Sequence, residues 1–224
     1  MQPTIHGAAI FRGVEPELVA ELVEDLSTTT VKAGYVVFRH GQFGDALFVI
    51  AAGKFKVGRG APGAPDTIFT MRGTGESFGE LSVFDPGPRT STVTAIGEAS
   101  VVRVDGVVMR SWIAQHPEVG DRMLRILARR LRRTEDALAD LVLTDVPGRL
   151  AKQLLGLAQR FGVQENGVVA VRHGLTQEEL AQLVGSSRET VNKALADFSQ
   201  RGWIRLERKG MIIADSDQLV RRAR

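Results

Sequence analysis

The chain has 224 residues, room for one large or two modest domains. Hydrophobic residues make up 43% and charged residues 25%, the balance of a globular protein rather than a disordered one. There is no cysteine, which excludes disulfides, a cysteine nucleophile, thiolate zinc sites and cysteine-ligated iron–sulfur clusters. The four histidines, His6, His40, His116 and His173, have no metal-binding spacing, so no metal is expected. No apolar run reaches the roughly 18–20 residues that span a bilayer, and no signal-peptide pattern opens the chain. A cytoplasmic protein without a membrane partner is the expectation. The net charge of +3 is unevenly spread: −2 over residues 1–116, +1 over 117–144 and +4 over 145–224. A basic excess at the C-terminal end points that end toward nucleic acid, although scattered charge on solvated faces gives the same count.

In chain order, residues 14–26 place Val14, Leu18, Leu22, Val23 and Leu26 at helical spacing and predict a leading helix. From about Val31 to Val108, short β-branched and aromatic runs alternate with glycine turns, Gly63 among them. That texture predicts an all-β barrel or jelly roll. From Pro117 to Leu143 the glycines nearly stop and one long helix is predicted. Leu124, Leu127, Leu131, Thr134, Leu138 and Leu141 follow steps of 3 and 4, an a/d heptad seam between charged flanks. The seam predicts a dimer helix; packing on its own domain is the plainer alternative. Thr134 puts a hydroxyl into that seam, which suits a ligand contact or a bond to its own helix backbone. Thr144 or Asp145 caps the next helix, 146–161, with Pro147 in its first turn and Gly162 closing it. This break is read as a hinge. The chain thus divides into a β-roll domain (1–116), a dimerisation helix with hinge (117–144) and a reader domain (145–224).

Residues 176–198 repeat the pattern of cap, helix and turn. Thr176 with Glu179 forms a capping box, Gly185 marks a turn, and Ser186 with Glu189 offers a second box. Helix, glycine turn and helix make a helix-turn-helix, or in the plainer reading an αα-corner. In a helix-turn-helix the start of the second helix enters the major groove, so the DNA-contact candidates are Ser187, Arg188, Glu189, Thr190, Asn192 and Lys193, with Thr176 at the start of the first helix. Arg188 can fork onto guanine, Glu189 can accept from cytosine, and Ser187 and Thr190 suit phosphate. Residues 201–215 then read as two strands turning at Arg208 and Lys209, a wing with a basic tip.

Two stretches of the β region carry chemistry. Phe78-Gly79-Glu80-Leu81-Ser82 sets a backbone N–H beside a carboxylate, a pairing that grips a ribose hydroxyl. Arg89-Thr90-Ser91 sets a donor fork beside two hydroxyls, which suits a phosphate. A surface pair between Glu80 and Arg89 explains the same residues. No hydrolase, phosphate-loop or zinc-protease motif is expected, and the stretch 73–76 (GTGE) reads as a turn, so an enzyme is not expected.

Residues 33–57 and 77–93 look like a cyclic-nucleotide-binding signature. With the seam helix and SRETVNKALADF, the whole chain resembles the cyclic AMP receptor protein (CRP/FNR) family of transcription regulators. In TDVPGRLAKQLLGLAQRFG it is most similar to actinobacterial members such as the mycobacterial ones. The resemblance implies an α+β protein: an N-terminal β-roll, a dimerisation helix and a C-terminal winged helix-turn-helix. It implies a homodimer that binds double-stranded DNA at a TGTGA-like palindrome in response to cyclic AMP (cAMP), with RNA polymerase as a further partner. It implies that Gly79 and Glu80 bind the ribose 2′-hydroxyl and that Arg89 and Thr90 bind the cyclic phosphate. Leu81, Ser82 and Ser91 line the pocket, and Thr134 meets the adenine amino group. The next family position carries serine or asparagine from the partner subunit; here it is Glu135, which accepts but cannot donate and adds charge near the base. Lys193 stands where arginine is common and keeps the charge without the fork. The family also holds redox and gas sensors. The absence of cysteine removes the cluster type, and no haem-ligand pair is evident, so a small organic effector fits best. A regulator of the same fold with weak or no cAMP dependence, or with another small-molecule effector, is the alternative.

Overall fold

The computed structural model describes residues 5–60, 66–165 and 167–223; the turn expected at Gly63 lies outside them. By contacts within the chain, two compact units separate, Met1–Arg132 and Arg133–Arg224. The division falls inside the long helix, so the helix expected as a segment of its own belongs to both units.

In the first unit, two short 3-10 turns (Ile5–Gly7 and Ala9–Phe11) precede α1 (Pro16–Val23). The helix is shorter than the apolar spacing predicts, because Pro16 begins it and the chain leaves the helix after Glu24. Eight strands follow: β1 (Thr28–Val31), β2 (Val36–Phe38), β3 (Ala46–Ala52), β4 (Lys54–Arg59), β5 (Thr67–Gly73), β6 (Ser77–Phe78), β7 (Thr92–Ala95) and β8 (Ala99–Asp105). They form two antiparallel sheets, in the orders β1-β8-β3-β6 and β2-β7-β4-β5. One-turn α2 (Leu81–Phe84) lies between β6 and β7.

The β3 run ALFVIAA is apolar almost throughout because both its faces are covered. Side chains alternate across a strand. Leu47, Val49 and Ala51 therefore join Val102, Val104, Trp112 and Met123 in one core. Ile50, with Phe48 packed beside it, joins Phe55, Phe78 and Val101 in the other core, between the sheets. A one-residue slip would exchange the two sets, so the register is strongly specified. The tight turn between β3 and β4 needs Gly53. Its φ is +88°, and an added Cβ would lie 2.5 Å from Ala99 Cβ.

Helix α3 (Gly106–Gln115) was not expected from the sequence. Its Val107-Val108-Met109 start continues the β-like composition of β8. The turn is made at Gly106, whose N–H donates to the Asp45 carbonyl at 2.6 Å. A Cβ there would sit 2.4 Å from that oxygen. Met109 and Trp112 of α3 then complete the outer core. The long helix α4 (Pro117–Leu143) buries Val119 and Met123 near its start. Its seam leucines face outward: Leu124, Leu131, Leu138 and Leu141 are exposed, and Leu127 is half-buried.

The second unit contains α5 (Val146–Phe161), β9 (Gly162–Glu165), β10 (Val168–Val171), α6 (Gln177–Val184), α7 (Arg188–Gln200), β11 (Ile204–Glu207), β12 (Gly210–Ile213) and α8 (Ser216–Arg222). The wing strands β11 and β12 extend into a four-stranded sheet, β11-β12-β10-β9. The β9–β10 hairpin and α8 carry too little periodicity to be read from the sequence. Gly162 does not close α5 in the left-handed conformation; it is extended and opens β9. Glycine is needed there by close approach, since a Cβ would lie 2.3 Å from the Ala158 carbonyl oxygen. No helix among the described residues is long and apolar enough to cross a membrane.

Between α4 and α5, Asp145 is the N-cap and accepts from the Gly148 N–H at 2.9 Å. The Arg222 guanidinium of α8 donates to the other carboxylate oxygen at 2.5 Å. Arg222 first, and the Gly148 N–H second, hold the Asp145 carboxyl below the ordinary carboxylate range.

Two predictions follow from this architecture. Gly53→Ala is expected to destabilise the β-roll by about 1–3 kcal/mol, read from denaturant unfolding, because the strained φ and the contact with Ala99 act together. Asp145→Asn keeps the cap but loses the pair with Arg222. A depressed folded-state pKa stabilises above the unfolded value and loses its effect as pH falls through the folded one. The variant should therefore be less stable than its parent at neutral pH, by well under about 1 kcal/mol for so exposed a pair. The gap should close in the acid range; a gap that stays constant down to low pH would count against this role.

Candidate functional site

Arg89 sits in the loop before β7, with its own backbone fixed on both sides. Its N–H donates to the Gln42 carbonyl at 2.7 Å, and its carbonyl accepts from Gly41 at 2.8 Å. The side chain is buried. Nη1 donates to the Gly79 carbonyl at 2.7 Å and to Ser82 Oγ at 2.6 Å, and Nη2 donates to the Ala46 carbonyl at 2.7 Å. The guanidinium lies over the Phe38 ring, 4.3 Å from its centroid. Burial pulls the Arg89 pKa down, Asp45 and Glu80 pull it up, and Arg103 adds to the lowering. Its hydrogen-bond partners are all neutral, so a buried positive charge keeps most of its capacity to attract an anion.

Two glycines make this position possible. A Cβ on Gly44 would lie 2.9 Å from Arg89 Nη2, and one on Gly79, whose φ is +85°, would lie 2.9 Å from Nη1. Gly44 and Ser82 also line an open cleft of about 390 Å³, with Phe43, Asp45, Pro86 and Gly87.

Glu80 is equally buried, at 5% exposure, but it does not pair with Arg89. Its Oε1 accepts from Arg130 Nη1 of α4. Arg130 Nη2 also donates to the Ser77 carbonyl at 2.6 Å and to Ser77 Oγ at 3.3 Å. The surface Glu80–Arg89 pair is thus replaced by two separate buried arrangements. Glu80 Oε2 is buried and has no hydrogen-bond partner among the described residues. An orphaned carboxylate oxygen is costly, and a hydroxyl donor would satisfy it. A buried cation with neutral partners and a buried acceptor without a donor together suit a ligand that carries both a phosphate and a hydroxyl.

Arg130 escaped the sequence reading because it stood among several arginines flanking the seam. Its burial, which separates it from Arg129 and Arg132, is decided by the fold. Of the other expected pocket residues, Ser82 is buried, Ser91 is half-buried, and Leu81 and Thr90 are exposed. Thr134 and Glu135 lie on the exposed surface of α4.

One enzyme-like string does occur, contrary to expectation. Gly75-Glu76-Ser77-Phe78-Gly79 spells G-x-S-x-G. Ser77, however, is buried on β6 and paired with Val49, not raised on a strand-to-helix turn, so the string is not a nucleophile elbow. The stretch 73–76 forms the turn between β5 and β6, with Gly75 at φ +81°.

In the second unit, the capping box at α6 is complete. Thr176 Oγ1 accepts from the Glu179 N–H at 3.2 Å, and Glu179 Oε2 accepts from the Thr176 N–H at 2.8 Å. The second cap is Ser187, not Ser186. Gly185 takes the left-handed conformation, and the Ser186 N–H donates back to the Ala181 carbonyl, so Ser186 belongs to the end of α6. Ser187 Oγ accepts from the Thr190 N–H at 3.2 Å and bonds the Thr190 hydroxyl at 3.0 Å. Both hydroxyls are therefore engaged in holding the helix start. Arg188, Glu189, Thr190 and Lys193 are exposed beyond that cap, as are Arg208 and Lys209 at the wing turn. Asn192 is half-buried, with its Oδ1 turned inward. Glu189's own backbone N–H and the Ser187 hydroxyl hold its carboxyl below the ordinary range.

The turn itself is gripped by Arg149 of α5, which the sequence reading also missed. Nε donates to the Val184 carbonyl at 2.9 Å, Nη2 to the Gly185 carbonyl at 3.1 Å and Nη1 to the Thr144 carbonyl at 2.7 Å. One side chain thus ties the end of α4 to the turn between α6 and α7.

Comparison with known proteins finds a family match for each part of the chain. The profile of the cyclic nucleotide-binding domain matches residues 28–116, and that of the Crp-like helix-turn-helix domain matches residues 148–222. The CRP-like cAMP-activated global transcriptional regulator of Mycobacterium tuberculosis is 57% identical over 224 residues, covering 100% of both chains. The cyclic AMP receptor protein of Thermus thermophilus is 31% identical and covers 90% of each. A solved CRP-family transcriptional regulator from Thermus thermophilus is 25% identical with a TM-score of 0.73, covering 87% of this chain and 96% of that one. The full-length identity and the two domain matches together show that this chain belongs to the CRP family of transcriptional regulators.

Proposed function

We propose that this chain is a homodimeric, cAMP-activated transcription regulator that binds a palindromic, TGTGA-like operator. Two observations of the same β-roll carry the reading together: a buried Arg89 with neutral hydrogen-bond partners only, and the orphaned Oε2 of Glu80. A cyclic nucleotide offers an anion to the first and a ribose hydroxyl to the second. The cAMP-activated relatives support that choice of ligand. Arg89 holds the cyclic phosphate with Thr90, and Ser82 orients the guanidinium. Glu80, fixed by Arg130, accepts from the 2′-hydroxyl beside Gly79. Leu81 and Ser91 border the ligand, and Thr134 meets the base from the seam.

The exposed leucines of α4 support the dimer, since a stripe of apolar side chains with charged flanks is stable when a second copy covers it. A dimer presents two copies of α7 to two half-sites about 34–36 Å apart. Arg188 and Lys193 read bases or phosphate, Glu189 accepts from a cytosine amino group, and Arg208 and Lys209 follow the backbone. The break at Thr144 and Asp145 is the hinge through which effector binding changes the reader. Nucleotide shifts DNA affinity only by its unequal affinity for the two dimer states. As a transcription regulator, the protein takes RNA polymerase as a further partner.

A gel shift on a TGTGA palindrome with and without cAMP tests both sites and their coupling. Binding that rises with cAMP is expected; binding indifferent to it would favour a regulator with another effector or none. Arg89→Ala should lose cAMP binding at least tenfold by calorimetry while the dimer persists, because a charge-assisted phosphate bond is removed. Unchanged binding would refute the phosphate assignment. Arg188→Ala should weaken operator binding by about 1–3 kcal/mol and relax specificity at one base pair. A loss equal across operator variants would make Arg188 a phosphate contact only.

A further inference from the structure

Glu135 is one of the positions that depart from the family pattern, and α4 gives that residue a second use. In the heptad seam, Leu124, Leu131 and Leu138 take position a, while Leu127, Thr134 and Leu141 take position d. Arg130 then falls at g and Glu135 at the following e. In a parallel two-stranded coil, a g residue faces the e residue five places on in the other helix, and opposite charges there set partner and orientation. The spacing from 130 to 135 meets that rule. An antiparallel pair would set g against g and e against e, and would bring no Arg130 to Glu135. A parallel arrangement also puts both reader units at one end of helices about 40 Å long, as a two-fold operator requires.

We propose that Glu135 of each protomer pairs across the seam with Arg130 of the partner subunit, so that Arg130 bridges the carboxylate of its own Glu80 and the carboxylate of the partner's Glu135. The inference rests on the dimeric regulator reading and deepens it. Arg130 already presents Nη1 to Glu80 and Nη2 to Ser77 from a mostly buried position, which fixes the guanidinium while α4 carries its backbone along the seam. A guanidinium is planar with five donors, so it can serve two carboxylates on different edges. Glu135 is exposed in the single chain. It carries a charge opposite to that of Arg130, on the exposed leucine-lined face of the helix.

Two consequences follow. Each effector site is completed by a carboxylate from the other subunit, which orients the arginine that orients Glu80. Glu135 is also turned to Arg130 and away from the base, so it does not select the purine. It acts as a positioning residue.

The test is a double-mutant cycle on the full-length protein, with Arg130→Gln, Glu135→Gln and the pair. The monomer–dimer constant is measured by sedimentation at low and at high salt, and cAMP and cyclic GMP affinities are measured by calorimetry. Glu135→Gln should weaken the dimer about two- to thirtyfold, since two symmetric pairs, each with an exposed carboxylate, are lost, and the loss should shrink at high salt. In the cycle the two losses should fail to add. The cAMP to cyclic GMP affinity ratio should stay at the parental value in Glu135→Gln. Glu135→Arg should weaken the dimer further by facing Arg130 of the partner subunit; circular dichroism checks that both variants fold. An unchanged dimer constant, additive losses, or a changed nucleotide ratio with an unaltered dimer would overturn the pairing and leave the regulator reading intact. A parent protein that sediments only as a monomer would overturn that reading as well.

Discussion

The β-roll is organised around one buried guanidinium. Taking a cation out of water costs several kcal/mol unless hydrogen bonds replace the lost hydration. Arg89 recovers them from Gly79, Ser82 and Ala46, and from the face of Phe38. Those partners come from β2, the start of β3, the loop after β6 and α2. The closed arrangement of the strands is therefore what brings the arginine's partners together. Gly44 and Gly79 are small because the arginine is there. Since its partners are neutral, the charge keeps its pull on an anion, which is the basis of the proposed phosphate contact.

The second buried charge ties the long helix to the β-roll. Glu80 and Arg130 neutralise each other in the interior, and breaking such a pair by removing one partner costs about 3–5 kcal/mol. Along its length α4 changes task. Val119 and Met123 pack into the outer core, Arg130 reaches Glu80 and Ser77, and the leucines beyond face outward. Most of its residues are exposed in the single chain, and the seam leucines keep to the a/d stripe. That is why its sequence is charged overall yet strictly patterned along the seam.

In the reader unit, precision comes from caps and from one clamp rather than from buried charge. The Thr176–Glu179 box and the Ser187 cap fix where α6 and α7 begin. Gly185 turns the chain between them with φ +70°. Arg149 bonds the last carbonyls of that turn and the carbonyl of Thr144 together, so a shift at the end of α4 and a shift of the turn are mechanically linked. Asp145, capped onto Gly148 and paired with Arg222, holds the same corner from the other side.

Local chemistry alone made much of this protein legible. The a/d leucines, the Thr176 box, the glycine turn at 185, the wing tip at Arg208 and Lys209 and the limits of α4 and α5 depend on neighbours a few residues away. The sequence states those neighbours directly. The resemblance carried by Gly79, Glu80 and Arg89 supplied the ligand class, which spacing alone did not. Tertiary structure decided which arginine meets Glu80, because Arg130 is 50 positions away and looks like its neighbours until the fold buries it. It decided that Gly162 is a packing glycine and that Ser187, not Ser186, caps α7. It also turned a valine-rich segment into α3, where the Asp45 carbonyl forces the chain to turn at Gly106. In each case the deciding contact comes from elsewhere in the fold, or from how a neighbouring helix ends, and no periodicity records that.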